Sequence, residues 1–531
     1  LLERSKSIHV AIIILVSLLV CCNSLFNGFV WDDRIYLLGN RALAELNIKS
    51  ILFTKVSGIE YFPVRDLSLA LDYRIWGENP FGFHLTSVVI FALCGIAVYL
   101  LAHSLHRLES SAATGSENHS SLAPLAVALF FAVHPIHAET FNWITCRGAL
   151  LSGLFSFSAC HLFLRYLDDS GGRRYLVFSL ACYAAALLSK AYCLTLPLIL
   201  PLFVLIRSGW KPDRRLLSVL PFLMLAVLAF FGFSAVGTSS RVITETSAAA
   251  ATVGNKVALA VQIPYFYIAK FILPLDLCAE YQSSFATGMT DIGSIAAVAG
   301  ILLLLAGLVV AWQRRATLPV IALVWFLVTM LPLLNIFSTH PVVADRYAYL
   351  PSFAFCLVAG RLAARSRGAC VAAVLILTVW SGLTIAQNRT WLSDKTLWEQ
   401  AIRVKPSAYA YVNLGDYHFW RGEYVQAFAA FNKAKELAPG NTKIHLYKGY
   451  LLYQQKDFSG AITEFEKLLA ANDSIMARYF LGMAQEGNGN REAAVKAFRD
   501  VLVSGDMDPQ GYYRRSAREN LQKLGVAGMG R

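Results

Sequence analysis

The 531-residue sequence is poor in charge: only 15% of its residues are Asp, Glu, Lys or Arg, against 56% hydrophobic, whereas soluble domains carry about 25% charge. That deficit excludes an all-soluble multidomain protein and makes most of the chain membrane. Cysteine is missing after Cys370, and the ten cysteines up to and including it form no C-x-x-C pair, which excludes a disulfide framework and a thiolate zinc site. No A-x-A cleavage pattern follows the first apolar run, residues 8–27, so with Arg4 and Lys6 ahead of it this segment reads as a retained anchor. A basic patch for nucleic acid is also lacking. Of the net charge of +13, residues 388–531 hold +5, from 20 basic and 15 acidic residues, and the other +8 sits mostly in short loops between apolar runs. The positive-inside rule expects basic residues there.

What is present is a series of apolar runs near the length of a spanning helix, at roughly 8–27, 83–103, 122–138, 147–166, 175–190, 192–207, 216–236, 292–312, 318–337, 348–364 and 369–387. These predict eleven spans, some tilted or broken at Pro135, Pro197 or Pro332. With the N-terminus cytoplasmic, Arg107, Arg165, Arg173, Arg174, Arg207, Lys211, Arg214, Arg215, Arg314, Arg315, Arg361, Arg365 and Arg367 all fall on the cytoplasmic side. A further apolar stretch, 255–275, would strand Arg314 and Arg315 outside if it crossed, so it reads as a helix on the outer membrane surface. The first loop, 28–82, and the region from 388 onward are then extracytoplasmic.

The C-terminal part repeats. Leu414-Gly415, Lys448-Gly449 and Leu481-Gly482 are followed by Ala427, Ala461 and Ala494, and then by Phe431, Phe465 and Phe498. Small residues at a tight helix crossing with an aromatic filling the groove resemble the tetratricopeptide repeat. The expected fold is all-α: a polytopic membrane bundle over 1–387, then a solenoid of about three repeats plus a cap over 388–531. Residues 396–406 read as a half repeat and 510–524 as the cap.

Polar residues gather at the outer face. Asp32 and Asp33 follow the first span directly; adjacent carboxylates repel, which raises one pKa or recruits a cation. The same loop holds Arg65, and His84 stands just past its end. His134, His137 and Glu139 lie beyond the third span, where Pro135 disturbs the spacing of a preformed metal site, so orienting roles fit them better than metal ligation. Arg147, Lys190, Asp345, Arg346 and Tyr347 come from later loops on that face. Snorkelling to headgroups would explain any one basic residue alone. Four cations, Arg65, Arg147, Lys190 and Arg346, converging on an acid pair suggest instead a lipid-phosphate site beside a proton acceptor.

The stretches FVWDD (29–33), YFPVRDLS (61–68), WGENPFGFHL (76–85), HPIHAETFNWITCRGALLSGLF (134–155), LLSKAYCLTLPL (187–198) and ADRYAYLP (344–351) together resemble the transmembrane and tetratricopeptide-repeat O-mannosyltransferases of the GT-C glycosyltransferase class. The short array points to a bacterial homologue, in an inner membrane with the site periplasmic; in a eukaryote the endoplasmic reticulum would take its place. The resemblance implies a polyprenyl-phosphate sugar donor, a protein hydroxyl acceptor engaged through the repeats, and an Asp base in the first outer loop, here Asp32 or Asp33. Arg65, Arg147, Lys190 and Arg346 would then hold the phosphate, while His84, His134, His137, Glu139, Asp345 and Tyr347 shape the sugar or acceptor pocket. Fixed cations can stand where other transferases use a metal; no cofactor is required, and a divalent metal is compatible.

Three other readings stand beside this one. A lipid or glycan acceptor would use the same base and clamp. A secondary transporter needs mid-bilayer charges and related halves, which the sequence lacks. A non-catalytic repeat scaffold would not need eleven spans.

Overall fold

The computed structural model describes residues 2–56, 60–112, 122–168, 172–235, 253–281, 291–335, 342–440, 442–504, 508 and 511–526, and every regular element among them is helical. The chain divides into a unit comprising Leu1–Val56 and Glu60–Ser393 and a second that includes Asp394–Arg531.

In the first unit a helix or broken helix stands at each of the eleven apolar runs; the outer ends of 216–236 and 318–337 lie outside the described residues. Among the described residues six helices are long and apolar enough to cross a membrane, and up to seven if a bent pair is one span. Ala191–Arg207, Thr317–Leu333 and Ser352–Ala363 are shorter apolar helices. The chain is an integral membrane protein. Pro80–Ser110 and Ile144–Leu167 are mostly buried and form the centre; Arg214–Phe233, Ile292–Gln313 and Arg367–Trp391 lie outside them and expose most of their surface. Leu228, Leu303, Val371 and Leu375 on these outer helices are all exposed, a surface suited to lipid tails rather than water. The stretch expected on the membrane surface forms helix Val253–Ile272, which is not among the candidate spans and packs inward through Ile263, Tyr267 and Phe271.

The bent pair is Ala123–Val133 with Pro135–Asn142, turned by 53°. Pro135 has no N–H to continue the helix, and His134 takes over as cap, its Nδ1 accepting from Ile136 N at 3.2 Å. The bend places Glu139 and Asn142 at the end of the bundle where the first loop begins.

The second unit is three helix pairs, Ala408–Trp420 with Tyr424–Leu437, Lys443–Gln454 with Phe458–Ala471, and Ile475–Gly487 with Arg491–Val503. Asp394–Val404 precedes them and Tyr512–Lys523 follows. Ser407, Asp457, Ser474 and Asn490 each accept a backbone N–H at a helix start, satisfying donors that the helix leaves over. Each pair closes as the sequence implies. A Cβ on Gly449 would meet Phe465 at 2.6 Å and one on Gly482 would meet Phe498 at 2.7 Å, while Gly415 lies as tightly on Phe431.

Candidate active site

The first helix ends at Cys21 and the chain reaches the acid pair through Trp31, whose φ of 55° is left-handed and costly for a bulky side chain. The indole stacks on Trp143 with ring centroids 4.5 Å apart, and Trp143 stacks in turn toward Trp391 at 6.5 Å. The two neighbouring carboxylates then diverge. Asp33 is fully buried; its Oδ1 accepts from Thr145 N at 2.8 Å and from the Thr145 hydroxyl, and its Oδ2 from Val30 N at 3.3 Å. Asp32 is half-buried, and among the described residues its carboxylate has neither a hydrogen bond nor an ion pair. Burial pushes Asp32 up to about 6, against the attraction of Arg346 and with the repulsion of Glu60. Burial likewise pushes Asp33 up to about 7, although Thr145 and Val30 favour its charged form.

The four expected cations differ in what they can reach. Side-chain exposure is 20% for Lys190, 9% for Arg346, 2% for Arg65 and 0% for Arg147. Arg147 is spent inside the bundle: it pairs with Asp72 at 2.5 Å, donates to Phe83 O at 2.7 Å, and reaches Ser87 and Ser68 at 3.3 Å. The structure does not present it to a ligand, because its planar fork is already filled. Arg65 is also interior, bonded to Asp66 at 2.8 Å and Glu60 at 2.6 Å. Lys190 reaches Glu60 at 2.8 Å and lies over the rings of Phe62 and Tyr192. Burial raises the Glu60 carboxyl, but the charges and hydrogen bonds of Lys190 and Arg65 outweigh it and hold it at about 2.

Arg346 closes the other side. Its backbone N donates to Glu139 Oε2 at 2.7 Å and its guanidinium pairs with Glu139 Oε1. The guanidinium lies 5.0 Å from the Trp143 ring centre and 4.9 Å from that of Tyr347. Tyr347 meets Tyr192 edge-on at 5.4 Å, so the Arg346 and Lys190 walls touch. Asp345 turns away to accept from Tyr281 at 2.7 Å, and burial, then the Glu139 charge, push its carboxyl well above the usual range. The arrangement is a half-open acid, Asp32, acted on by the charges of Arg346 and Glu60 and next to the stacked rings of Trp31 and Trp143.

The histidines stand elsewhere. His84 Nε2 lies 3.4 Å from Gly28 O, supporting the start of the loop. His134 bonds Phe271 O at 3.1 Å and Ile136 N, and His137 bonds Phe131 O and Ser352 Oγ, each at 2.9 Å. Both rings spend both nitrogens on the protein, and Arg346 occupies Glu139. Among the described residues no three His, Cys, Asp or Glu side chains are grouped to hold a metal.

Sequence reasoning missed Glu60, Trp31, Trp143, Tyr192, Thr145 and Glu280, whose carboxyl burial raises to about 7 against the pull of Arg346. It also missed a buried amide network. Asn27 donates to Asn142 at 2.7 Å, Asn142 to Asn388 at 2.9 Å, and Asn388 to Asn23 at 2.8 Å. Only the crowding of aromatics and charges around Tyr61-Phe62-Pro63 hinted at Glu60.

A family described as Tetratricopeptide repeat matches residues 395–442 and 444–512. Curated relatives match most of the chain. A protein O-mannosyl-transferase of Caenorhabditis elegans is 21% identical over 78% of this chain and 60% of its own length. One of Homo sapiens is 24% identical over 82% of this chain and 52% of its own. One of Drosophila melanogaster is 30% identical over 33% of this chain and 20% of its own. The resemblance drawn from the sequence motifs is thus borne out, while the chain spans only about half to three fifths of the length of the first two relatives. No solved structure matches.

Proposed function

We propose that this protein moves a mannosyl group from a polyprenyl-phosphate donor to a Ser or Thr hydroxyl of a protein, at the extracytoplasmic end of the bundle. An alcohol is a poor nucleophile at neutral pH, so a carboxylate must take its proton as it attacks the anomeric carbon. Asp32 is that base. It has no competing donor, a half-open position and a pKa of about 6, which leaves it ionised at neutral pH yet basic enough to accept a proton. The bond from the anomeric carbon to the phosphate oxygen breaks on the opposite face, and a single displacement inverts that centre. Negative charge grows on the departing lipid phosphate, where Lys190, with Arg346 behind it, offsets it. Asp33, tied to Thr145, holds the base loop; Arg147 and Arg65 hold the helices beneath. The tetratricopeptide repeats engage the acceptor protein or a partner. The mannosyl identity comes from the relatives named above.

The observation that carries this reading is the contrast within the acid pair: one carboxylate saturated with donors, its neighbour left without a hydrogen bond and drawn by Arg346. Asp32→Asn should lower mannosyl transfer from polyprenyl phosphate mannose by at least about 100-fold, within the range for a lost general base, with the unfolding midpoint unchanged. Full transfer by this variant would remove Asp32 from the chemistry.

A further inference from the structure

Four charges of alternating sign run from the interior to the site: Asp66, Arg65, Glu60 and Lys190, joined at 2.8, 2.6 and 2.8 Å. The inner two are 5% and 2% exposed and the outer two 24% and 20%, so the chain ends in an ammonium at the opening. Its root is rigid. Asp66 and Arg65 sit in the first turns of helix Pro63–Trp76, and Arg65 lies under Gly148, where a Cβ would meet its Cδ at 3.3 Å and Ser189 O at 2.6 Å. The Phe62 ring lies under both cations, 5.3 Å from the Arg65 guanidinium carbon and 4.7 Å from Lys190 Nζ.

A lysine ammonium is a point charge on a flexible stem; unlike a guanidinium fork it does not fix its own direction. A phosphate contact that must be ready before the donor arrives therefore needs a second group to hold it, as an ion-paired glutamate does for the phosphate-binding lysine of protein kinases. We propose that Glu60 is a positioning residue: bridging buried Arg65 to Lys190, it fixes the Lys190 ammonium at the opening as the contact for the donor phosphate. This rests on the transferase reading above. Glu60 stays ionised because two cations share it, Lys190 at Oε1 and Arg65 at Oε2.

The test uses the full chain in detergent and reads Lys190 directly. An amine-acylating reagent labels Lys190, peptide mass spectrometry measures the extent, and polyprenyl phosphate is titrated as protector with the uncharged polyprenol as control. The expected result is protection by the phosphate alone, with Glu60→Gln requiring about tenfold more lipid for half protection, the loss of one charge-assisted hydrogen bond. In transfer assays the same variant should raise the donor KM by a similar factor and leave the acceptor KM in place. Arg65→Lys, which keeps the charge but loses the fork, should shift protection in the same direction. Glu60→Gln added to Lys190→Gln should cost nothing further. Equal protection in Glu60→Gln and the parent overturns the proposal, as does tighter protection, which would make Glu60 a place-holding anion that the donor displaces. Protection that needs Glu60 in a protein that transfers no sugar would sustain this inference and remove the transferase reading instead.

Discussion

Thr145 gives Asp33 both its backbone N–H and its hydroxyl, and Val30 adds a third donor, so Asp33 cannot turn toward a substrate without leaving buried donors bare. Asp32, one residue earlier, pays nothing of this kind for accepting a proton. The pH dependence follows from its position. Burial raises its pKa to about 6, and a base works only when ionised, so activity is lost as pH falls through that value and is full above it. The expected outcome is an acid limb in kcat/KM near pH 6, against about 4 for an ordinary aspartate. An acid limb near pH 4 would show that Asp32 is more solvated than its surroundings imply. The same scale shows why the partners of the proposed phosphate clamp were not legible in the sequence. Four basic residues at span ends could be located, but not the carboxylates awaiting them. Arg147 met Asp72, Arg65 met Glu60 and Asp66, Lys190 met Glu60, and Arg346 met Glu139.

At the level of elements the repeats were the most legible part, because a glycine, an alanine and a phenylalanine at a period of 33 or 34 residues report a packing contact directly. Gly449 under Phe465 carries a testable cost. A methyl group placed 2.6 Å from that ring must displace it from a core where Ala461 and Phe465 are fully buried. Gly449→Ala should destabilise the repeat unit by roughly 1–3 kcal/mol, read by chemical unfolding followed by circular dichroism; an unchanged or higher stability would mean the ring has room to move. In the membrane unit, Pro135 was legible as a break, and its consequence, a 53° turn that carries Glu139 toward Arg346, was not. Proline marks where a helix must stop but not which way the chain leaves. Short helices such as Ser352–Ala363 were harder still, since apolar composition alone does not fix how far a helix continues.

Across the whole membrane unit, the first and last helices are closed on each other by amides rather than by apolar packing alone. Asn388 donates to Val20 O and Asn23 Oδ1, each at 2.8 Å, and accepts from Asn142 at 2.9 Å, while its backbone carbonyl accepts from Asn27 at 3.2 Å. No local pattern marked these residues, because each acquires its role from partners more than 100 positions away. Their location gives the closure a functional side. Asn142 lies three residues before Thr145, the anchor of Asp33, and Asn27 opens the loop that carries Asp32. Away from water an unpaired amide finds no replacement partner, so Asn388→Ala should lower stability by roughly 1–3 kcal/mol for each group left bare. Asn142→Ala added to it should cost less than it does alone, by about the one bond the two share, while its bonds to Asn27 and Ala138 O are still lost. Thermal unfolding in detergent reads both effects, and the transfer rate should fall in parallel as the Asp32 loop loses its footing. Strict additivity of the two substitutions would show that the amides act separately, leaving the loop to be held by Thr145 alone.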